Sequence, residues 1–167
     1  MITDANLQLC GSYSNGTWTA QAITASNQVS TNSVDTAPLA LGGNQAGDYG
    51  IGTALEVAIQ ATTAPTVATS VEFQLITADD AALTTNVTII TSSGAIPIAN
   101  LTATAPALFK QVVLRWDRAS PNAPRRYVGL RFVVVGTATS AGSYLAEIVA
   151  SVGDTANTQY KSGFAIL

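Results

Sequence analysis

The stretch RYVGLRFVVVG, residues 126–136, decides the fold class of this 167-residue chain. Apolar side chains alternate along it, so that Leu130 and Phe132 share one face while Arg131 belongs to the opposite one. Alternation with a period of two is typical of a β-strand that has one buried face. We therefore predict a strand over these residues, with its apolar face in the protein core.

Similar short runs occur along the rest of the chain and are separated by Gly, Pro, Asn and Ser, which favour turns. Further strands are predicted within residues 17–23, 53–60, 69–77, 86–90, 95–101, 109–117 and 143–152. Because no long segment has the apolar spacing of an amphipathic helix, little or no helix is expected. A single helical turn is predicted from Asp79, where two consecutive acidic residues favour a helix start.

About eight to ten short strands with evenly spaced turns are typical of an all-β protein, an antiparallel β-sandwich or jelly roll. The chain length suits one domain of this kind. We therefore predict a single jelly-roll domain over residues 1–167. Within it we expect residues 1–16 to form an extended N-terminal arm and residues 36–52 to form a flexible loop.

The composition favours a protein that works in an assembly. Charged residues make up 10% of the chain, whereas an average soluble domain has about 25%. The surface must therefore be built largely from Thr, Ser, Asn, Gln, Gly and Ala. Such a surface has few of the charges that keep soluble monomers apart.

The basic residues are concentrated in one part of the chain. No Lys or Arg precedes Lys110, whereas six lie between Lys110 and Arg131. Trp116, Tyr127 and Phe132 are interleaved with them, and the pI of the chain is about 4.6. A tail that binds nucleic acid is typically a run of bases without bulky apolar residues. We therefore expect no nucleic-acid partner.

The residues that most catalytic and metal sites need are missing. The chain has no His and a single Cys, Cys10, so neither a Ser-His-Asp triad, nor an internal disulfide, nor a closed zinc site can be built from it. We predict a protein that is not an enzyme and has no catalytic residues, cofactor or metal. Because no secretion signal or membrane-spanning apolar run occurs, we expect a soluble product made in the cytoplasm and no membrane partner.

The segment RWDRASPNAPRRYVGLRF, residues 115–132, is the strongest candidate for a functional site. Four roles are open for its arginines: decoration of a solvated strand edge, internal ion pairs with acidic sheet residues, for which Arg131 is the first candidate, nucleic-acid binding, and a protein interface. An interface is favoured, because Arg beside Tyr and Trp is typical of interfaces and two prolines stiffen the connecting loop. The candidate interface residues are Arg115, Trp116, Arg118, Arg125, Arg126, Tyr127 and Arg131.

Several segments also resemble a known family in their order and spacing: MITDANL (1–7), VSTNSVD (29–35), VEFQLITADDAALT followed by IPIANL (71–101), RRYVGLRFVVVGTATSAG (125–142) and YLAEIV (144–149). They resemble the capsid cement, or decoration, proteins of short-tailed bacteriophages, of the Bordetella-phage type. The resemblance implies a jelly roll on the outer surface of the virion, where it bridges neighbouring major capsid proteins and stabilises the expanded shell. It also implies a symmetric homo-oligomer, with a dimer favoured over a trimer.

A carbohydrate-binding or adhesin-like jelly roll is the alternative hypothesis. Trp18, Tyr49 and Trp116 are the rings that would stack on sugars. The fold does not decide between the two functions. A lectin binds glycans saturably as a purified protein, whereas a cement protein co-sediments with capsids.

Overall fold

A computed structural model describes residues 7–14, 17–36, 55–101, 112–116, 125–137 and 141–149. These residues form twelve strands, which pair antiparallel: β1 (Gln8–Cys10), β2 (Ser12–Ser14), β3 (Thr17–Thr19), β4 (Gln21–Ala22), β5 (Gln28–Val29), β6 (Val34–Asp35), β7 (Leu55–Thr63), β8 (Ala68–Ala78), β9 (Thr88–Pro97), β10 (Val112–Trp116), β11 (Tyr127–Gly136) and β12 (Ser143–Val149). A 3-10 turn, Ile98–Asn100, follows β9. No helix of the length and hydrophobicity that a membrane crossing requires occurs in the described residues.

The strands form two five-stranded sheets and a separate hairpin. The first sheet has the order β1-β12-β7-β10, with β4 pairing the end of β12, and the second has the order β5-β11-β8-β9, with β6 pairing β11. Strands β2 and β3 form the hairpin. If β1, β5 and β7 to β12 are numbered one to eight, the sheets read 1-8-3-6 and 2-7-4-5, which is the strand order of a jelly roll. The predicted all-β sandwich is therefore confirmed.

The core lies between the two sheets and is built by the alternation that the sequence shows. The even-numbered side chains of β11 lie opposite the odd-numbered side chains of β8: Val128 and Thr77, Leu130 and Leu75, Phe132 and Phe73, Val134 and Val71. The first sheet supplies the opposing layer in the same way, with Tyr144 beside Ala61, Ala146 beside Ile59 and Ile148 beside Val57. Both inner faces are thus almost entirely apolar, which favours their packing together.

Three fully buried rings join the sheets at the centre of this core. Phe73 contacts Phe132 edge-on, with 5.7 Å between ring centroids, and Tyr144 of the other sheet edge-on at 5.1 Å. The Tyr144 hydroxyl donates a 2.8 Å hydrogen bond to the Ala141 carbonyl, so its polar end is satisfied. Burial raises the pKa of Tyr144 well above its ordinary value. The ring cluster therefore fixes how the two sheets sit on each other.

The segment predicted as an N-terminal arm contributes strands. Gln8–Cys10 pairs with β12, and Leu9 and Cys10 are fully buried in the main core. Ser12–Ser14 forms one half of the hairpin. Apart from Thr36, the predicted loop over residues 36–52 lies outside the described residues.

The connection between β8 and β9 is a turn, and the predicted helical turn at Asp79 is wrong. The Asp80 carboxylate accepts hydrogen bonds from the backbone N–H groups of Thr84 and Thr85, at 3.0 and 2.6 Å. Leu83 has a left-handed backbone conformation, with φ of 58°. An aspartate that bonds nearby backbone N–H groups competes with helix formation, and it explains why the acidic pair gives a turn.

This turn folds back onto the outer face of the second sheet. Leu83 packs there with Ile76 and Ala78 in a second, smaller apolar cluster, directly above Gly129 of β11. A Cβ atom at position 129 would collide with the Leu83 side chain and lie 2.8 Å from the Ser30 Oγ. Gly129 thus allows the turn to approach the sheet. Asp79 lies beside the beginning of β11 because the residue before it, Ala78, pairs with Tyr127.

Strand β9 is one continuous strand where the sequence predicts two, within residues 86–90 and 95–101. The pairing register shifts opposite Phe73, between the two predicted segments, and the strand continues through this shift. The Phe73 N–H donates a 3.0 Å hydrogen bond to the Ser93 hydroxyl there. Gly94 follows with φ of 66°. A bulge of this kind keeps two runs of different alternation in a single strand. Pro97 has no N–H to donate to a ladder and suits an edge strand, and β9 is the last described strand of its sheet.

One buried hydroxyl gives a stability prediction. The Thr77 Oγ1 is fully buried on the inner face of β8, and no hydrogen-bond partner for it occurs in the described structure. Thr77→Val replaces this hydroxyl by a methyl group of similar shape, and we expect it to raise the free energy of unfolding by about 1 kcal/mol. Urea denaturation measures the change. Thr77→Ser, which keeps the hydroxyl and removes the methyl group, should lower stability; a stabilising serine would contradict this explanation.

Candidate functional site

The arginine-rich segment does not form one patch. Arg115 is on β10 of the first sheet, whereas Arg131 lies within β11 of the second, and Arg118 falls outside the described residues. Of the candidate residues that the structure describes, Arg125, Arg126 and Tyr127 are consecutive at the beginning of β11. Trp116 ends β10 opposite Leu55, and its side chain lies outside the described part of the chain.

Arg126 joins the beginning of β11 to strand β6. Its guanidinium donates two hydrogen bonds to the Asp35 carboxylate, at 2.9 and 2.8 Å, in the bidentate geometry that makes Arg–carboxylate pairs strong. The Arg126 carbonyl accepts hydrogen bonds from the backbone N–H and the hydroxyl of Thr36, at 3.0 and 2.6 Å. Its guanidinium carbon also lies 5.2 Å from the centroid of the Tyr127 ring. Both side chains of the ion pair keep about a quarter of their surface exposed, so the Arg126–Asp35 pair lies near the protein surface.

Arg125 makes the corresponding contact to the turn after β8. Its guanidinium donates a 2.7 Å hydrogen bond to Asp79, whose side chain is only 7% exposed. The Asn86 side-chain amide donates to the other oxygen of the same carboxylate, also at 2.7 Å. These two donors hold the pKa of Asp79 below its ordinary value, and the Asn86 hydrogen bond contributes most. Consecutive arginines therefore fasten β6 and the β8–β9 turn to β11.

The remaining two arginines differ in exposure and partner. Arg115 pairs with Glu56 across the β10–β7 ladder at 3.3 Å, and its side chain is 79% exposed. Arg131 donates a 2.8 Å hydrogen bond to Gln74, whose amide donates to Glu72 at 2.7 Å. Arg115, Arg125 and Arg126 thus each form an ion pair within the chain. Arg131, the first candidate for that role, instead donates to the side-chain amide of Gln74. The interface assignment of these residues stays a prediction.

The acidic partners Asp35, Glu56 and Asp79 are the site residues that sequence reasoning missed. Asp79 is 46 positions from Arg125 along the chain, and Asp35 is 91 positions from Arg126. Asp79 follows the predicted strand 69–77 and Glu56 lies within the predicted strand 53–60, whereas no strand is predicted at Asp35. Strand pairing is needed to say which arginine each acid meets.

These residues make one end of the sandwich charged. We call it the charged end, and it contains Asp35, Glu56, Asp79, Asp80, Arg115, Arg125 and Arg126. Three ion pairs lie there, two of them at 2.7 and 2.8 Å and the Arg115–Glu56 pair at 3.3 Å, and Arg115 is the most exposed of the paired arginines. An end of this kind offers hydrogen-bond donors and acceptors to a protein partner.

Cys10 has the surroundings of a structural residue. It is fully buried, and its Sγ donates to the Gln21 side-chain oxygen at 2.8 Å. Burial raises the pKa of the thiol to about 12, so the reactive thiolate is scarce at neutral pH. No group of His, Cys, Asp and Glu that could hold a metal ion occurs in the described residues.

Of the rings that the carbohydrate hypothesis needs, Trp18 is the one whose side chain the structure describes. It lies on β3 of the separate hairpin and is 42% exposed. Tyr49 falls outside the described residues, as does the Trp116 side chain. An exposed tryptophan between two threonines suits sugar stacking and protein contact equally well.

We expect the protein to lose stability in acid, because several carboxylates of the fold are stabilised in their charged form. The pKa of Asp79 is lowered by the hydrogen bonds from Asn86 and Arg125, and hydrogen bonds also lower the pKa of Asp80 and Glu72. A carboxylate with a folded pKa below its unfolded pKa contributes stability that is fully present above the unfolded value. That contribution is lost as the pH falls through the folded pKa.

Thermal unfolding measured between about pH 7 and pH 3 checks this expectation. The Tm should stay nearly constant down to about pH 5 and fall by several degrees below about pH 4. Burial raises the pKa of Glu147, which acts in the opposite direction and reduces the slope. Asp79→Asn removes one of the titrating groups and should make the acid loss smaller than in the wild-type chain. A Tm that rises below pH 4 would contradict the assignment.

Comparison with known proteins places the chain in a family. The Bbp16 family matches residues 18–148, which include every strand from β4 to β11 and most of β12. No curated protein matches the chain. The match supports the phage origin that the sequence resemblance implies. Since it extends over more than half of the residues, the chain belongs to the Bbp16 family.

Proposed function

We propose that this chain is a capsid cement protein. It binds the outer surface of the expanded phage head and bridges neighbouring major capsid proteins. The observation that carries the proposal is the Bbp16 match over a jelly roll, because it covers the same strands in which the resemblance to phage cement proteins lies. The low content of charged residues, 10% of the chain, also favours a protein packed against others.

The mechanism is a shift of a conformational equilibrium. A protein that binds the expanded shell, and binds the unexpanded shell weakly, stabilises the expanded state by its differential binding free energy. Many identical copies on a closed lattice add their contributions, so each contact needs only modest affinity. A rigid sandwich suits this task, because little conformational entropy is lost when it binds.

The charged end is one of the surfaces that we assign to this contact. Arg115 is the best placed of the candidate residues, since its side chain is 79% exposed and its ion pair with Glu56 is long, at 3.3 Å. Arg125 and Arg126 hold internal partners at 2.7 to 2.9 Å, so their first role is to keep the end in shape. Removing them would disturb the fold and the contact together. Arg115 is therefore the residue with which to test the contact.

Self-association is part of the same proposal. We expect a symmetric dimer, because two-fold contacts are the commonest closed symmetry and the low surface charge opposes association weakly. Light scattering of the purified protein measures the oligomeric state, and a monomer at all concentrations would contradict the dimer.

Co-sedimentation with expanded heads that lack this chain tests the binding function. Wild-type protein should bind saturably, and Arg115→Ala should bind several-fold more weakly while keeping its Tm. Gln60→Ala, at an exposed position of β7 in the same sheet, is the matched control and should bind normally. Failure of the wild-type chain to sediment with heads would contradict the cement function. Normal binding by Arg115→Ala would contradict only the assignment of Arg115 to the contact and would leave the cement function intact.

The exposed Trp18 ring supports a carbohydrate-binding function as the second candidate. A glycan array with purified protein, compared with Trp18→Ala, distinguishes the two candidates. Saturable glycan binding that disappears in the variant would favour the alternative.

A further inference from the structure

The charges of the described chain are segregated along the sandwich. The strands β7, β8, β11 and β12 run the length of it, and their ends near Glu56, Ala78, Tyr127 and Val149 meet the charged end. Glu72, Arg131 and Glu147 lie part-way along the strands. Beyond Glu72 and its partner Val133, no charged residue occurs in the described part of the opposite end.

We call this opposite end the uncharged end and define it by residues 23–27, 62–69, 97–101, 134–137 and 141–143. Backbone contacts bring these segments together. Ile23 exchanges hydrogen bonds with Gly142 and Ala141, at 2.9 and 3.2 Å, and the Ser26 hydroxyl donates to the Val134 carbonyl at 3.1 Å. Gly136 pairs with Ala68 and Pro97 pairs with Ser70. The described segments of this end therefore lie next to one another.

The exposed residues of this end are small, hydroxyl-bearing or apolar. Val67 and Val135 are each 52% exposed, the largest exposed fractions among the large hydrophobic residues of the described chain. Around them lie exposed Thr, Ser and Asn side chains: Thr24, Ser26, Asn27, Thr63, Thr66, Thr69, Asn100 and Thr137. The described segments of this end carry no ion to desolvate, so burying them against another protein costs little, and charged residues are depleted in the cores of interfaces.

The chemistry of this end suits a lattice better than an isolated pair of proteins. Two valines among hydroxyl groups provide much less apolar area than the core of a stable homodimer, whose interface must supply all of the affinity by itself. A weak contact is sufficient where a protein is held at several points of a repeated array. Bridging also needs a second contact surface, and the uncharged end lies at the opposite end of the sandwich from Arg115.

From these observations we infer that the uncharged end docks on the capsid shell, against an uncharged protein surface, and forms the second contact of the bridge. This inference rests on the proposed cement function. It divides the bridge into a polar contact at the charged end and a neutral contact, centred on Val67 and Val135, at the other.

The test introduces charge at the uncharged end and measures co-sedimentation with expanded heads. The double variant Val67→Asp with Val135→Asp should bind about tenfold more weakly or worse, because two carboxylates would have to be desolvated at the contact. Val67→Thr with Val135→Thr keeps the end neutral and should bind nearly as the wild type does. Gln60→Asp, at an exposed position part-way along β7, adds charge elsewhere and should bind normally. Since both valines are half exposed, circular dichroism and the Tm of all variants should match the wild-type protein.

The outcomes separate this inference from the proposed function. Wild-type binding together with normal binding of the double Asp variant would overturn the docking assignment and leave the cement function intact. Absence of wild-type binding would overturn both. A wild-type dimer that becomes monomeric in the double Asp variant, with no change in head binding, would show that a second copy occupies this end and would overturn the capsid as its partner.

Discussion

Replacing Phe73 with alanine is expected to lower the free energy of unfolding by about 3–5 kcal/mol. Phe73 is fully buried and contacts Phe132 in its own sheet and Tyr144 in the opposite sheet, with ring centroids 5.7 and 5.1 Å away. Alanine would leave a cavity at the point where the two sheets meet. It would also remove both edge-on ring contacts, which add to the loss of buried apolar area.

Urea denaturation followed by tryptophan fluorescence measures this change. Phe73→Leu is the matched control, because it keeps an apolar side chain and most of the volume; it should lose about half as much stability or less. A loss below about 1 kcal/mol for Phe73→Ala would contradict the placement of this ring between the sheets.

Gly142→Ala is expected to have the second large effect, with a loss of about 3 kcal/mol. Gly142 has φ of 96°, a conformation that side chains rarely adopt. A Cβ atom there would lie 2.8 Å from the Thr63 carbonyl oxygen and 2.9 Å from the Tyr144 hydroxyl. The Thr63 carbonyl oxygen cannot move aside without shifting the end of β7. The Tyr144 hydroxyl is held in place by its hydrogen bond to the Ala141 carbonyl.

Gly94→Ala separates backbone strain from crowding. Gly94 also has a positive φ, 66°, but a Cβ atom there would have no neighbour within 4 Å. Its replacement should therefore cost only the conformational strain, about 1 kcal/mol. Thermal unfolding of the two variants under the same conditions measures the difference. Equal losses would show that the packing around Gly142 does not matter.

Strand alternation is the part of the fold that the sequence predicts well. The segment 126–136 is observed as β11, Tyr127–Gly136, and the segment 143–152 begins as β12, Ser143–Val149. In both strands a regular alternation coincides with one buried face, so the periodicity and the burial give the same answer. The predicted sandwich followed from the number of such segments and the turns between them.

Features that depend on distant pairing could not be predicted in the same way. The single strand β9 keeps two alternating runs together through a bulge opposite Phe73, which needs the partner strand to form. The segment at Asp80 forms a turn and not a helical turn for two reasons. The Asp80 carboxylate accepts hydrogen bonds from nearby backbone N–H groups, and the Leu83 side chain packs over Gly129, where no Cβ atom is in the way. The second of these reasons is a tertiary contact.

The candidate site shows the same division. The sequence pointed to the arginines, and the structure supplied their partners: Asp35 for Arg126 and Asp79 for Arg125. The uncharged end also has a signal in the sequence, because residues 57–71, 81–109 and 132–146 contain no charged residue. The convergence of parts of these segments at one end depends on the jelly-roll order, which local patterns do not encode.

The central claim is that the chain binds the expanded phage shell and stabilises it. The most direct measurement is the temperature at which DNA escapes from filled heads that lack the chain, followed with a DNA-binding dye as purified protein is added. We predict that this temperature rises with occupancy and reaches a plateau when the sites are full, and that unexpanded shells bind little of the protein. An unchanged release temperature at full occupancy, or equal binding to unexpanded shells, would contradict the cement function.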